Sequence, residues 1–225
     1  LKRLHMLVHV AEQLRLTVRQ VPYPDYKTAS HLVEALSQLL EHFAAYTAKV
    51  EPMKILSGKV TDYQEALRKS VVTGFRVAAF GYAKAMQLEG KKMPDDDDAE
   101  DRKEPPAPPT SVLQGGIMLI DALGEDCRKH FIHVFCEDAL GDYLKEFEPP
   151  DRSVKPERRV SSFKVAEVKP EPENTQAGLD QIDKRFAWFA NVPMHTIKKK
   201  FGNVFPQEWN LQASLANMFL QLVRF

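Results

Sequence analysis

The stretch Leu4-His5-Met6-Leu7-Val8-His9-Val10-Ala11-Glu12-Gln13-Leu14-Arg15-Leu16-Thr17-Val18 decides the fold. Leu4, Leu7, Ala11, Leu14, Val18 and then Val21 step by three and four, and the same rhythm returns in Ala29, Leu32, Leu36, Leu39, Phe43, Tyr46 and Val50. A spacing that averages about 3.5 lines up every member of a run on one side of an α-helix. That side has to be covered by another helix. Two coverings are open and compatible: an antiparallel bundle within the chain, which short connections favour, or a coiled coil shared with other subunits. On the second reading Leu4, Leu7, Leu14, Val18, Leu32, Leu36, Leu39 and Phe43 are the partner interface.

The rest of the chain extends this pattern. Val21-Pro22-Tyr23-Pro24 ends the first helix, because proline disfavours helical geometry in the residue before it. Asp25 is placed to cap the second, expected over Tyr26 to Val50 and about 37 Å long. Pro52 opens a third, with a stripe of Leu56, Val60, Tyr63, Leu67, Val71, Phe75, Ala78 and Tyr82. Five helical or linking parts follow: a three-helix block at 1–89, an acidic proline-rich linker at 90–110, a two-helix block at 111–147, a second proline-rich linker at 148–176, and a helical block at 177–225. Asp95 to Asp98, Glu100 and Asp101 make the first linker self-repelling, and low apolar content predicts disorder for both. In the last block, Leu179, Ile182, Phe186 and Phe189 trace one face and Pro193 predicts a kink. Lys198, Lys199, Lys200 and Gly202 read as a helix end with a left-handed glycine cap. The final helix, opened by Pro206, is apolar nearly all round and is expected to be buried. The fold class is therefore all-α: an elongated helical bundle, or rod of antiparallel helices, with two flexible linkers.

Composition narrows the function. The 225 residues carry 31 basic and 31 acidic side chains, so no overall field draws nucleic acid or an anionic membrane. No apolar run approaches the roughly 18 residues a membrane span needs, and no signal-peptide pattern occurs. Leu1 stands where methionine would, and Phe225 lies inside an apolar run; both ends read as cuts, so an internal fragment is expected. Cys127 and Cys136, if on one helix, lie about 13 Å apart along the axis, too far for a disulfide, which suits a reducing cytosolic compartment.

Strings that carry chemistry are few. Cys127, His130, His133 and Cys136 have zinc-ligand types, but steps of three along a helix send the outer members to opposite faces. A zinc-binding helical protein is thus the lesser alternative. Ser57-Gly58-Lys59 lacks the upstream glycine and following hydroxyl of a phosphate loop. Gly115-Gly116 reads as a flexible helix start. Arg158-Arg159-Val160-Ser161 makes Ser161 a candidate phosphosite, against a plain solvated linker. Lys198 to Lys200 could meet anionic lipid, though a helix end accounts for them. No catalytic residue, cofactor or metal is expected.

Leu179-Asp180, Ile182-Asp183-Lys184-Arg185-Phe186-Ala187-Trp188, Phe201-Gly202 and Phe205-Pro206-Gln207-Glu208-Trp209 resemble the vacuolar protein sorting-associated protein 53 family. Leu4-His5-Met6-Leu7, Leu39-Leu40, His42-Phe43, Tyr46 and Leu56-Ser57 with Val60 are similar to it as well, and so is the two-helix pattern ending at Tyr143-Leu144. The chain departs from the family at Pro22 to Pro24, in its two long linkers and around Asn191 to Thr196. The resemblance implies a non-enzymatic scaffold subunit of the Golgi-associated retrograde protein tethering complex and its endosomal relative, which capture endosome-derived vesicles. It implies partner subunits joined by helix pairing, and small GTPases and fusion proteins met through the whole complex. It also implies a cytoplasmic, peripheral location at trans-Golgi network and endosome membranes. A generic helical adaptor of a related tethering complex is the nearest alternative.

Overall fold

The computed structural model describes residues 2–47, 49–90, 106–147 and 175–223, without the side chains of Leu144 and residues 175–180. Among these the regular elements are all helical. In chain order they are α1 (Lys2–Val18), α2 (Tyr26–His42), the single turn α3 (Ala44–Thr47), α4 (Glu51–Phe80) and α5 (Tyr82–Leu88), then α6 (Thr110–Ala122) and α7 (Glu125–Phe147), and last α8 (Thr175–Phe189), α9 (His195–Phe201) and α10 (Leu211–Val223).

The first seam closes on the chain itself. Leu7, Ala11 and Leu14 of α1 are buried, as are Ala29, Val33 and Leu36 of α2 and Val60, Leu67 and Val71 of α4. The two helices run antiparallel, with Arg3 at the start of α1 bonded to His42 at the end of α2 at 3.0–3.1 Å. Asp25 caps α2: its Oδ1 accepts from the Thr28 amide at 3.1 Å and its Oδ2 from the Thr28 hydroxyl at 2.6 Å. α2 stops at His42, eight residues before Val50. The Phe43 amide turns back to the Leu39 and Leu40 carbonyls, and Val50 is extended ahead of Pro52 in α4. Apolar spacing sets which side is covered, and it continues through this break without requiring an unbroken backbone. The expected third helix is likewise divided: Gly81, at φ 86°, separates α4 from α5, a left-handed angle that favours glycine.

α6 joins the first bundle instead of standing in a block of its own. It packs along α2 and against α4. Gly115 and Gly116 make this possible. A Cβ on Gly115 would lie 3.2 Å from the Lys27 nitrogen and 3.3 Å from Tyr26 Cβ, and one on Gly116 would lie 3.1 Å from Val71 Cγ1. The pair sits mid-helix and buried, so it serves close packing and is no flexible start. The peptide leading into α6 is held too. The Tyr23 hydroxyl donates to the Pro106 carbonyl at 2.8 Å, and Pro108 is buried near Gly74. The end of the expected first linker is thus part of the packed body; residues 91–105 and 148–174 lie outside the described ones.

α7 carries the core toward the last helices. Phe131 and Phe135 meet Phe75 of α4 with ring centroids 5.1 and 6.1 Å apart, and Phe201 and Phe205 meet Phe75 at 5.7 and 5.3 Å. Each such pair adds about 0.5–1.5 kcal/mol beyond area burial. A second aromatic group joins Tyr143, Trp188 and Phe219 at 5.5 Å, with Phe189 stacked on Phe219 at 4.3 Å. All three blocks therefore contribute to one continuous cluster.

The last block follows its expected patterning in part. α8 buries Arg185 and exposes Ile182, while Phe186, half-exposed, rests edge-on against Phe219 with ring centroids 5.4 Å apart. The Pro193 kink takes the form of a π-helical turn over Ala190–Met194, which accommodates the missing amide donor. Gly202 is right-handed at φ −55°, and a Cβ there would lie 2.7 Å from the Lys198 carbonyl; glycine is there for room. Pro206 opens a 3-10 turn (Gln207–Trp209), followed by left-handed Asn210. α10 buries Leu211, Leu215 and Phe219 but exposes Leu220, so it is covered on one side only.

Candidate interaction surface

The eight seam residues divide once the helices pack. Leu7, Leu14 and Leu36 are fully buried by this chain's own helices. Their side chains fill the internal seam. Val18, Leu32, Leu39 and Phe43 are half-buried at the margin of the same seam. Leu4 is 39% exposed.

Leu4 is not alone there. Met6 and Val8 at the start of α1, and Tyr46, Val50 and Ile55 where α2 gives way to α4, are all exposed. The Arg3–His42 contact brings the start of α1 to the end of α2, so these six residues lie toward one end of the bundle, with Met6 and Val8 on opposite sides of α1. Phe43 connects them to the core, its ring 6.4 Å from that of Tyr46. Met6, Val8 and Ile55 fall outside the heptad register, and for that reason the periodicity did not single them out. Their signal was present only as apolar residues on the wrong side of an already amphipathic helix, where a solvated face calls for polar ones.

The opposite end of the bundle is tied by polar contacts. Arg76 of α4 donates to Asp138 of α7 through Nε and Nη2 at 2.7 and 3.1 Å, with the side chains 15% and 9% exposed. Lys84 of α5 pairs with Asp142 of α7. Lys200 reaches out of α9 to the Ala78 and Ala79 carbonyls at 3.2 and 2.8 Å. It thus complements the negative end of α4, where the sequence suggested it would serve its own helix. Tyr26 bonds Ser70 at 2.8 Å and burial pushes its hydroxyl up to about 12.

The chemical strings are absorbed into helices. Ser57, Gly58 and Lys59 lie inside α4, with no loop to wrap a phosphate. Cys127, His130, His133 and Cys136 all lie on α7; Cys136 is buried while His130 and His133 are exposed, so the four do not converge. The described residues contain no group of three or more His, Cys, Asp and Glu able to hold a metal ion. Burial pushes the Cys136 thiol up to about 12, far from a nucleophile's range. Ser161 lies outside the described residues.

Comparison with known proteins gives this surface a context. The family described as "Vps53, N-terminal" matches residues 1–158. The chain is also similar to the vacuolar protein sorting-associated protein 53 A of Arabidopsis thaliana, with 24% identity over 227 aligned positions covering 100% of this chain and 21% of that protein. It spans about a fifth of that relative's length. No solved structure matches.

Proposed function

The chain belongs to the Vps53 family, and from that premise we propose that it is a scaffold segment, without catalytic activity, of a multisubunit vesicle-tethering complex acting in endosome-to-Golgi retrograde transport. The family match over residues 1–158 carries this reading. What supports it physically is an all-helical body with six exposed apolar residues toward the end of the bundle where α1 begins and α2 gives way to α4. Other subunits of the tether pair with that end. Leu4, Leu39 and Phe43 form the contact at that end together with Met6, Tyr46, Val50 and Ile55, Leu32 and Val18 extend it along the margin of the seam toward the other end of α1, and Leu7, Leu14 and Leu36 support it from beneath. Small GTPases and fusion proteins are met through the whole complex. No described helix is long and apolar enough to cross a membrane; in this proposal the protein is cytoplasmic and reaches trans-Golgi network and endosome membranes peripherally, through its partners.

The test introduces Leu4→Asp with Tyr46→Asp into the full-length protein and measures co-purification with the tether's other subunits. Full cover of such a side chain contributes about 1.5–3 kcal/mol, so the pair should lose most of the partner protein while far-UV helicity is kept. Undiminished recovery of every partner subunit would sink this assignment of the surface.

A further inference from the structure

A cavity of about 730 Å³ opens between the α1–α2 turn, α4, α5 and α7. That volume suits a ligand-sized recess. Its walls carry Arg68, Lys69, Arg76 and His130, with Tyr23 and Tyr82 beside them. Glu89 is the one acidic side chain in the lining, and it already receives the Thr73 hydroxyl.

The cations are held in a particular way. Arg68 is gripped by Glu65 through Nε and Nη2 at 2.8 and 2.7 Å, and Arg76 by Asp138 through the same two nitrogens. Neither Glu65 nor Asp138 lines the cavity. Each guanidinium is therefore held along one edge by a carboxylate outside the lining, and Arg68, Lys69 and Arg76 line the groove together with Glu89. Lys69, 71% exposed and 3.4 Å from Glu65, is the least committed. Between these groups Val72, Val77 and Val134 provide an apolar lining.

We infer that this groove docks an acidic peptide segment of a partner protein, with Arg68, Lys69 and Arg76 facing its carboxylates and Tyr23 and Tyr82 packing against its stem atoms. Fixed guanidiniums favour planar carboxylates. A recessed site with apolar walls fits a single extended strand better than a flat membrane. The chain's balance of 31 basic and 31 acidic residues provides no wider field for a polyanion such as nucleic acid. The chain also carries its own rival. Asp95 to Asp98, Glu100 and Asp101 fall between Glu89, which lines the groove, and Pro106, whose carbonyl takes the hydrogen bond of Tyr23.

The experiment titrates a fluorescent nonapeptide with the sequence of residues 93–101, read by anisotropy. It uses the whole chain and a variant with the six acidic residues at 95–98, 100 and 101 changed to Asn or Gln. The expected result is binding to both, weakened at least about tenfold by Lys69→Glu with His130→Glu, retained by Lys69→Arg, and suppressed between about 50 and 500 mM salt as the screening length shrinks. Circular dichroism of each variant confirms that it is folded, and Lys69→Ala replaces any variant that is not. Binding unaffected by charge reversal, or absent from both chains, overturns the inference. Binding to the neutralised variant alone overturns it in favour of the chain's own segment. Equal loss of binding to vesicles containing phosphatidylserine on Lys69→Glu would assign the groove to lipid instead.

Discussion

Gly115→Ala and Gly58→Ala are the same chemical change in two helices, and the structure gives them opposite signs. In an open helix position, replacing glycine with alanine stabilises by about 1 kcal/mol, because the glycine backbone loses more freedom on folding. Gly58 is such a position: it is exposed on α4 and a Cβ there meets nothing within 4 Å. At Gly115 the added Cβ would come to 3.2 Å from the Lys27 nitrogen and 3.3 Å from Tyr26 Cβ. The first of these is backbone, in the opening turn of a helix fixed by the Asp25 cap, so no side-chain rotation relieves it. Overpacking of this kind costs about 1–3 kcal/mol. Set against the propensity gain, Gly115→Ala should lose about 1 kcal/mol net, leaving about 2 kcal/mol between the two variants. Urea unfolding with unchanged m-values reads that gap directly, and in thermal unfolding it corresponds to roughly 4–8 °C for a protein of this size. Gly115→Leu should be worse than Gly115→Ala. If Gly115→Ala is as stabilising as Gly58→Ala, the close approach of α6 to α2 is not what the glycine is for, and the placement of α6 in the first bundle is in error.

Three further outcomes follow from the polar contacts. Arg76→Ala leaves Asp138 buried without its cation and should cost about 3 kcal/mol, whereas Arg76→Met with Asp138→Leu should cost clearly less, since both charges leave together; urea midpoints of the two variants make the comparison. Glu65 is held down to about 2, first by its hydrogen bond from Arg68 and then by the nearby positive charges. A folded value below the unfolded one means stability that is present above about pH 4.5 and lost as pH falls toward 2, so Glu65→Gln should flatten the stability–pH curve in that window by a small amount, since the pair is partly open to solvent and screened by it. Burial raises both thiols, and Cys136 is the more covered; a thiol-exchange reagent at pH 8 should modify Cys127 first and Cys136 only at the rate of unfolding, and equal rates would contradict the packing of α7.

What the sequence disclosed and what it concealed separate along a physical line. Periodicity fixes which side of a helix is covered, so Leu7, Leu14, Leu36, Val60 and Leu67 were legible as seam residues. Local caps were legible for the same reason, since Asp25 and Thr28 are three residues apart and need no distant partner. Continuity was harder. The stripe through Phe43, Tyr46 and Val50 keeps its register across a change in backbone direction, and nothing in the spacing marks His42 as an end. Long-range pairs carry no local signal at all: Lys200 bonds carbonyls about 120 positions earlier, and Gly115 answers to Tyr26 and Lys27. The groove belongs to this last class, because its walls come from four separated segments.

The division within the seam also changes what an assembly surface on this chain has to look like. A heptad stripe that is still open can accept any helix of matching period. Here α2, α4 and α6 have already taken that position, and Leu7, Leu14 and Leu36 are closed to outsiders. In the function proposed above, a partner uses the margin and the apolar residues around Leu4, Tyr46 and Ile55, whose spacing follows no single heptad. Shape-specific contacts discriminate between subunits better than a bare leucine stripe, which pairs with many helices and needs added polar features to choose among them. In the scaffold role proposed above, spending the regular seam internally and presenting the irregular end is the arrangement that limits wrong pairings.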